Sequence, residues 1–289
     1  MPVAIETITD TRTVLGESPV WSGQENALYW IDIPGKALFR LDMSEAAPRR
    51  WDLPTEPGSI GLFANGDILI ALRTGIVRFV QATGAMTPLA APDYDQARLR
   101  FNDGRPDRRG RFWVSTIDES RQHADARLYR YADGALDTLH EGGITVGNGL
   151  AFSPDDKWLY FCDTPSRRIW RFAFDIETGT IRDQTVFADI EEGLGRPDGA
   201  AIDAEGCYWS ALIDGIGRFT PEGRLDRHIE IPAGRITMCA FGGTGLDTLF
   251  LTTASPGAVQ LPREPGPLAG RLLAIRPGVS GLPEPRVAG

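Results

Sequence analysis

A run of about six residues, rich in β-branched and aromatic side chains, returns six times along this chain. The copies are LYWIDI (28–33), DILIAL (67–72), RFWVST (111–116), WLYFCD (158–163), CYWSAL (207–212) and LFLTTA (249–254), and their first residues lie 39, 44, 47, 49 and 42 apart. Such runs are too short for stable helices and suit strands. A second run follows each at a similar offset: LFRLD (38–42), IVRF (76–79), LYRY (128–131), IWRF (169–172), IGRF (216–219) and RLLAI (271–275). Five of these set an arginine (Arg40, Arg78, Arg130, Arg171, Arg218) between apolar neighbours. Strand alternation then sends Arg to one face and the hydrophobes to the other. Turns of the Asn-Gly and Asp/Gly kind, such as ANGD (64–67), SPDD (153–156) and DAEG (203–206), precede the first runs. Before each turn comes one more short strand: SPVW, SIGLF, FNDGRP, NGLAF, PDGAAI and ITMCAF.

With a less regular fourth strand, this unit of about 40–50 residues is the signature of a propeller blade. The repeat predicts an all-β, six-bladed β-propeller with four antiparallel strands per blade, spanning 1–289 as a single domain. Length alone would have suggested about two domains. A ring must close, so VAIETI (3–8) is expected to complete the last blade beside RLLAI (271–275). The 33 glycines and 21 prolines supply the turns such a ring needs.

A hydrophobic share of 42% against 24% charged residues is that of a folded chain. The formal charge is −9, with no Lys/Arg-rich run, which argues against nucleic acid or an anionic membrane as partner. The chain shows no basic-then-apolar leader and no apolar run of about 18 residues. A soluble, cytoplasmic protein is therefore expected. Cys162, Cys207 and Cys239 are an odd number, far apart and set in apolar runs. They read as buried free thiols rather than disulfides or a zinc site.

The innermost strands of a propeller line one channel, so their polar residues converge on its axis. Candidates in order are Glu17, Ser59, Arg100 with Asn102, Asn148, Asp198, and Thr237 with Cys239. Glu17 stands 11 residues ahead of the next strand's start, Asn102 nine, Asn148 ten and Asp198 nine. Turn formation alone would not place oxygen-bearing side chains at matching positions in four blades. Two carboxylates with amide oxygens suit one hard divalent cation. Calcium, magnesium and manganese remain open, as do zinc and ferrous iron. His123, His140 and His228 have no zinc-type spacing, and no GxSxG elbow or phosphate loop is present. Trp30, Trp113 and Trp209 fall at matched strand positions and read as blade packing.

GESPVW (16–21), RFNDG (100–104), DRRGRFWVST (107–116), GNGLAFSPD (147–155), RPDGAAIDAEGCYW (196–209) and CAFGG (239–243) resemble the SMP-30/gluconolactonase/regucalcin family, in order and over about residues 13–275. The resemblance implies a six-bladed propeller that binds one divalent metal and hydrolyses a sugar lactone. It implies metal binding by Glu17, Asn148 and Asp198, with Asp198 also acting as the catalytic base. It implies substrate binding by Arg100 and Asn102. The family's further substrate-binding Glu aligns with Ser120, one place after Glu119, which is the candidate for that role here. The alternatives are a non-catalytic calcium-binding regulatory propeller, a hydrolase of organophosphates or aryl esters, and a scaffold binding a protein on its rim.

Overall fold

In the computed structural model, residues 3–258 and 266–289 are described; residues 1–2 and 259–265 of the expected propeller lie outside them. The strands form six four-stranded antiparallel sheets arranged as the blades of a ring. Blade 1 holds β2 (Gly16–Ser22), β3 (Ala27–Asp32), β4 (Ala37–Asp42) and β5 (Arg49–Asp52). Blade 2 holds β6 (Pro57–Leu62), β7 (Ile68–Leu72), β8 (Gly75–Val80) and β9 (Ala85–Ala90). Blade 3 holds β10 (Leu99–Pro106), β11 (Phe112–Asp118), β12 (Arg127–Ala132) and β13 (Ala135–Glu141). Blade 4 holds β14 (Gly147–Phe152), β15 (Trp158–Asp163), β16 (Arg168–Asp175) and β17 (Thr180–Asp189). Blade 5 holds β18 (Ala200–Ile202), β19 (Tyr208–Leu212), β20 (Gly215–Phe219) and β21 (Leu225–Glu230). Blade 6 holds β22 (Ile236–Gly242), β23 (Thr248–Thr253) and β24 (Arg271–Ile275), and its outer strand is β1 (Ile5–Arg12) from the start of the chain. The repeated runs fall on their expected strands, with only Ala200–Ile202 of PDGAAI forming the innermost strand of blade 5.

The closure is as the repeat required. Ile5 pairs with Ile275, Glu6 with Ala274 and Thr7 with Leu273. The apolar side chains of each blade face its neighbours, producing a buried cluster at each of the six interfaces. Trp209 and Ile216 of blade 5 pack with Phe241 and Leu251 of blade 6. Trp30 and Phe39 of blade 1 pack with Phe250 and Leu272 of blade 6. Trp30, Trp113 and Trp209 are wholly buried, as blade packing demands. The Trp113 and Trp209 indole N–H groups donate to Asp107 and Asp203, each at 2.9 Å. The repeated arginines tie blade to blade: Arg130 donates to the Gly179 carbonyl at 2.6 Å and Arg171 to the Pro221 carbonyl at 3.3 Å. All three cysteines are buried and free.

The C-terminal segment crosses the end of the ring where each innermost strand turns into the next. Gly281 bridges to Asp203 and Val287 to Phe63, and the Ala288 N–H donates to the Gly110 carbonyl at 2.9 Å. Glu284 meets the buried Arg105 at 2.8 Å. This end of the channel is covered, and the site residues sit toward the other. Among the described residues no helix is long and apolar enough to cross a membrane.

Deleting residues 1–12 would bare the β24 edge and open the ring. Losing one strand's packing, about 3 kcal/mol or more, should lower the thermal midpoint by roughly 6–12 °C. Differential scanning calorimetry of the truncated chain checks this, and an unchanged midpoint would contradict closure by β1.

Candidate metal and substrate site in the channel

The innermost strands lose regular register where the site residues stand. The ladder between β2 and β3 shifts between Glu17 and Val20, that of β10 and β11 between Phe101 and Gly104, and that of β14 and β15 between Asn148 and Ala151. Asp198 lies in an irregular segment two residues ahead of β18. Bulges of this kind bend a strand and re-aim a side chain. Here they turn Glu17, Asn102 and Asn148 of three blades toward the axis, and the irregular segment sets Asp198 in a fourth. Gly149 shows the local constraint: its φ of 67 and the Tyr208 hydroxyl beside it leave no space for a side chain.

A hydrogen-bond chain runs across three blades. Arg100 Nη1 donates to Asn102 Oδ1 at 2.9 Å, and Asn102 Nδ2 donates to Asn148 Oδ1 at 2.9 Å and to the Gly147 carbonyl at 2.8 Å. Asn148 Nδ2 donates to Thr164 Oγ1 at 2.8 Å, and Thr164 in turn to the carbonyl of Pro197, next to Asp198, at 2.9 Å. This fixes the Asn148 amide so that its oxygen faces Asn102 and keeps a second lone pair. Arg100, Asn102, Asn148 and Asp198 are buried, and Glu17 is half-buried.

The electrostatics are those of crowded carboxylates. Burial, then the charges of Asp198 and Asp103, hold Glu17 well above the usual carboxylate range. Burial also raises Asp198, although Arg235 pulls it down through its charge and a 2.6 Å bond to Oδ2. Asp103 is pushed up to about 6 by burial, against the pull of Arg105 and the Leu150 N–H. Its Oδ1 is buried and unpartnered among the described residues, as is Ser59 Oγ. Burial pushes the Cys239 thiol up to about 12, so it is no nucleophile near neutrality.

These residues suit a hard cation by donor chemistry. Among the described residues no three His, Cys, Asp or Glu side chains gather into a metal cluster. The set on offer is therefore two carboxylates, Glu17 and Asp198, with the Asn148 amide oxygen. The charge of Asp198 raises the proton affinity of Glu17, and a cation between the two would relieve that repulsion.

At the end away from the C-terminal segment, a pocket of about 300 Å³ is walled, among the described residues, by Arg100, Glu119, Arg73, Glu56, Arg121, Leu15 and others. Glu119 meets Arg100 at 3.2 Å and Arg73 at 2.7 Å. Ser120 is turned away: its hydroxyl donates to the Asp118 carboxylate at 2.7 Å and 2.9 Å. His123 is exposed, with its backbone N–H on Asp118. Sequence reasoning missed Arg235, Thr164, Arg73 and Arg121. Arg235 directly precedes innermost strand β22, so the phase argument carried as far as charged residues ahead of that strand would have found it. The others stand outside the innermost strands.

With this geometry in place, the comparisons are consistent. The family model described as SMP-30/Gluconolactonase/LRE-like region matches residues 15–255. The chain belongs to this family. A Pseudomonas putida protein named 6-deoxy-6-sulfogluconolactonase is 38% identical and matches over 100% of both chains. A Haloferax volcanii pentonolactonase is 32% identical over 98% of this chain and 97% of its own. A solved structure of a calcium-binding protein, regucalcin, from Agrobacterium tumefaciens superposes with a TM-score of 0.92 at 27% identity, covering 100% of this chain and 99% of that one.

Asp103 supplies a check on the crowding. Its folded pKa lies above the unfolded one, so its stabilising share is whole below about pH 4 and lost as pH rises through about 6. Relative to Asp103→Asn, the chelator-treated wild type should lose about 3 kcal/mol between about pH 4 and pH 7, and urea denaturation at both ends measures it. A difference that does not change with pH would contradict the buried, proton-holding carboxylate.

Proposed function

We propose that the channel hydrolyses a sugar lactone to its aldonic acid with the help of one divalent cation. The observation that carries this reading is the all-oxygen set of Glu17, Asn148 and Asp198, joined through Asn102 to polar groups suited to sugar hydroxyls. The lactonase names of two relatives that match almost end to end support it. Glu17, Asn148 and Asp198 would hold the cation, which would polarise the lactone carbonyl, lower the pKa of a water and steady the developing oxyanion. Asp198 is a carboxylate set beside the proposed cation, placed to accept a proton from a water there. Arg235 fixes its Oδ2 and orients the group. As water oxygen bonds to the carbonyl carbon, Asp198 takes the water proton; as the ring C–O bond breaks, it returns that proton to the departing oxygen. Arg100 and Asn102 bind ring hydroxyls. Glu119, presented to the pocket while Ser120 caps Asp118, accepts from another.

A calcium-binding role without turnover is the second reading, favoured by the name of the Agrobacterium structure. Proton release from a panel of aldonolactones separates the two. The chelator-stripped protein should be inert and recover with calcium, manganese, magnesium or zinc. Asp198→Asn should lose about 10²–10⁴-fold in kcat with the cation still bound. Cation binding without release from any lactone would support the second reading, and full activity of Asp198→Asn would remove the base assignment.

The cation must also displace protons that Glu17 and Asp198 hold more firmly than usual. The rise in thermal midpoint on adding it should therefore be larger at about pH 8 than at about pH 5. An equal rise at both would contradict binding by these carboxylates.

A further inference from the structure

The mouth of the channel carries guanidinium groups that lie apart from the proposed cation set. Below lie the half-buried Glu17 and the buried Asp103 and Asp198. Among the described residues around the opening stand the guanidinium groups of Arg73, Arg100 and Arg121, against the carboxylates Glu56 and Glu119. Both carboxylates are shared. Glu56 bridges Lys36 at 3.5 Å and Arg73 at 2.9 Å, and Glu119 bridges Arg73 and Arg100. Arg121 has no hydrogen bond or ion pair from its side chain among the described residues, although it lines the pocket and its charge reaches Asp198.

Arg121 is placed there by a built turn. The Asp118 carboxylate accepts from the Ser120 N–H at 3.0 Å and the His123 N–H at 2.8 Å, and the Arg121 N–H donates to the Asp118 carbonyl at 2.9 Å. Arg121 itself takes a left-handed φ of 55. The turn thus fixes the backbone from which the guanidinium reaches the pocket, which lowers the cost of ordering that loop on a ligand.

We propose that Arg121, seconded by Arg73, holds an anionic substituent on the substrate. The preferred lactone then carries a phosphate, sulfonate or carboxylate at the end remote from its carbonyl. This rests on the lactone-hydrolase reading and adds the substrate's charge. The polarity of the channel orients such a molecule. Its anion is drawn to Arg121 and Arg73 at the mouth, so the uncharged carbonyl end is the part that descends to Asp198. An uncharged lactone gains no such direction. A guanidinium offers paired N–H donors that match the oxygens of any of the three anionic groups.

The test compares a six-carbon aldonolactone with its 6-phosphate and 6-sulfonate analogues, and the corresponding open-chain acids as ligands in calorimetry. The charged open-chain acids should bind at least about tenfold more tightly than the uncharged-tail acid, with kcat/KM for the lactones following the same order. That advantage should shrink between about 0.05 and 0.5 M salt and fall at least about tenfold in Arg121→Gln, with Arg121→Lys recovering part of it. Whether phosphate or sulfonate leads distinguishes the two sources of charge. Acid release from all three lactones with no charge preference overturns the anion site and leaves the lactonase. A charge preference in calorimetry with no release from any lactone overturns the lactonase and leaves the anion site. A preference that survives intact in Arg121→Gln overturns the assignment to Arg121.

Discussion

The pairing of β1 with β24 is the interaction on which the rest of the molecule depends. It joins the first strand to the last blade through Ile5–Ile275 and its neighbours. A lone four-stranded blade has two apolar faces and cannot bury both. In a closed ring every face has a partner, and aromatic and aliphatic side chains from adjacent blades fill six interfaces. Closure also decides where polar groups gather. Six innermost strands are forced round one axis, and the register shifts in β2, β10 and β14 turn Glu17, Asn102 and Asn148 toward it. Several charged and polar side chains from different blades are thus gathered into one small space.

Buried charge is costly unless it is paired, and the channel pairs its carboxylates unevenly. Asp198 has Arg235, and Asp103 feels Arg105, which Glu284 of the C-terminal segment holds from the covered end. Glu17 has burial and two like charges working against its ionisation. A protein free to evolve a purely structural channel would fill this axis with apolar side chains. Retaining two carboxylates and an oriented amide is the physical argument for a cation. Retaining a polar ladder from Arg100 to Thr164 beside them is the argument for a hydroxyl-bearing substrate.

The architecture was legible in the sequence because its determinants are local. Period-two alternation, aromatic and β-branched content, and Asp/Gly turns each mark a strand or its end, and the roughly 44-residue return of the pattern marks a blade. Glu17, Asn102, Asn148 and Asp198 could be picked out because a closed repeat converts equal phase into proximity. The same logic did not reach the mouth. Arg73 and Arg121 stand between strands, where phase carries no spatial meaning. The choice between Glu119 and Ser120 depends on a turn held by Asp118, which points the glutamate into the pocket and folds the serine back. Arg235 directly precedes β22, as Arg98 directly precedes β10, so the phase argument extended to charged residues ahead of the innermost strands reaches it, and its bond to Asp198 shows what it does.

The claim at the centre of this account is that Glu17, Asn148 and Asp198 together hold one divalent cation on the propeller axis. Anomalous diffraction from crystals soaked in manganese tests it directly. The account predicts a single strong peak within coordination distance of the oxygens of these three side chains, lost in Glu17→Gln crystals. A peak elsewhere in the molecule, or none along the axis, would contradict it.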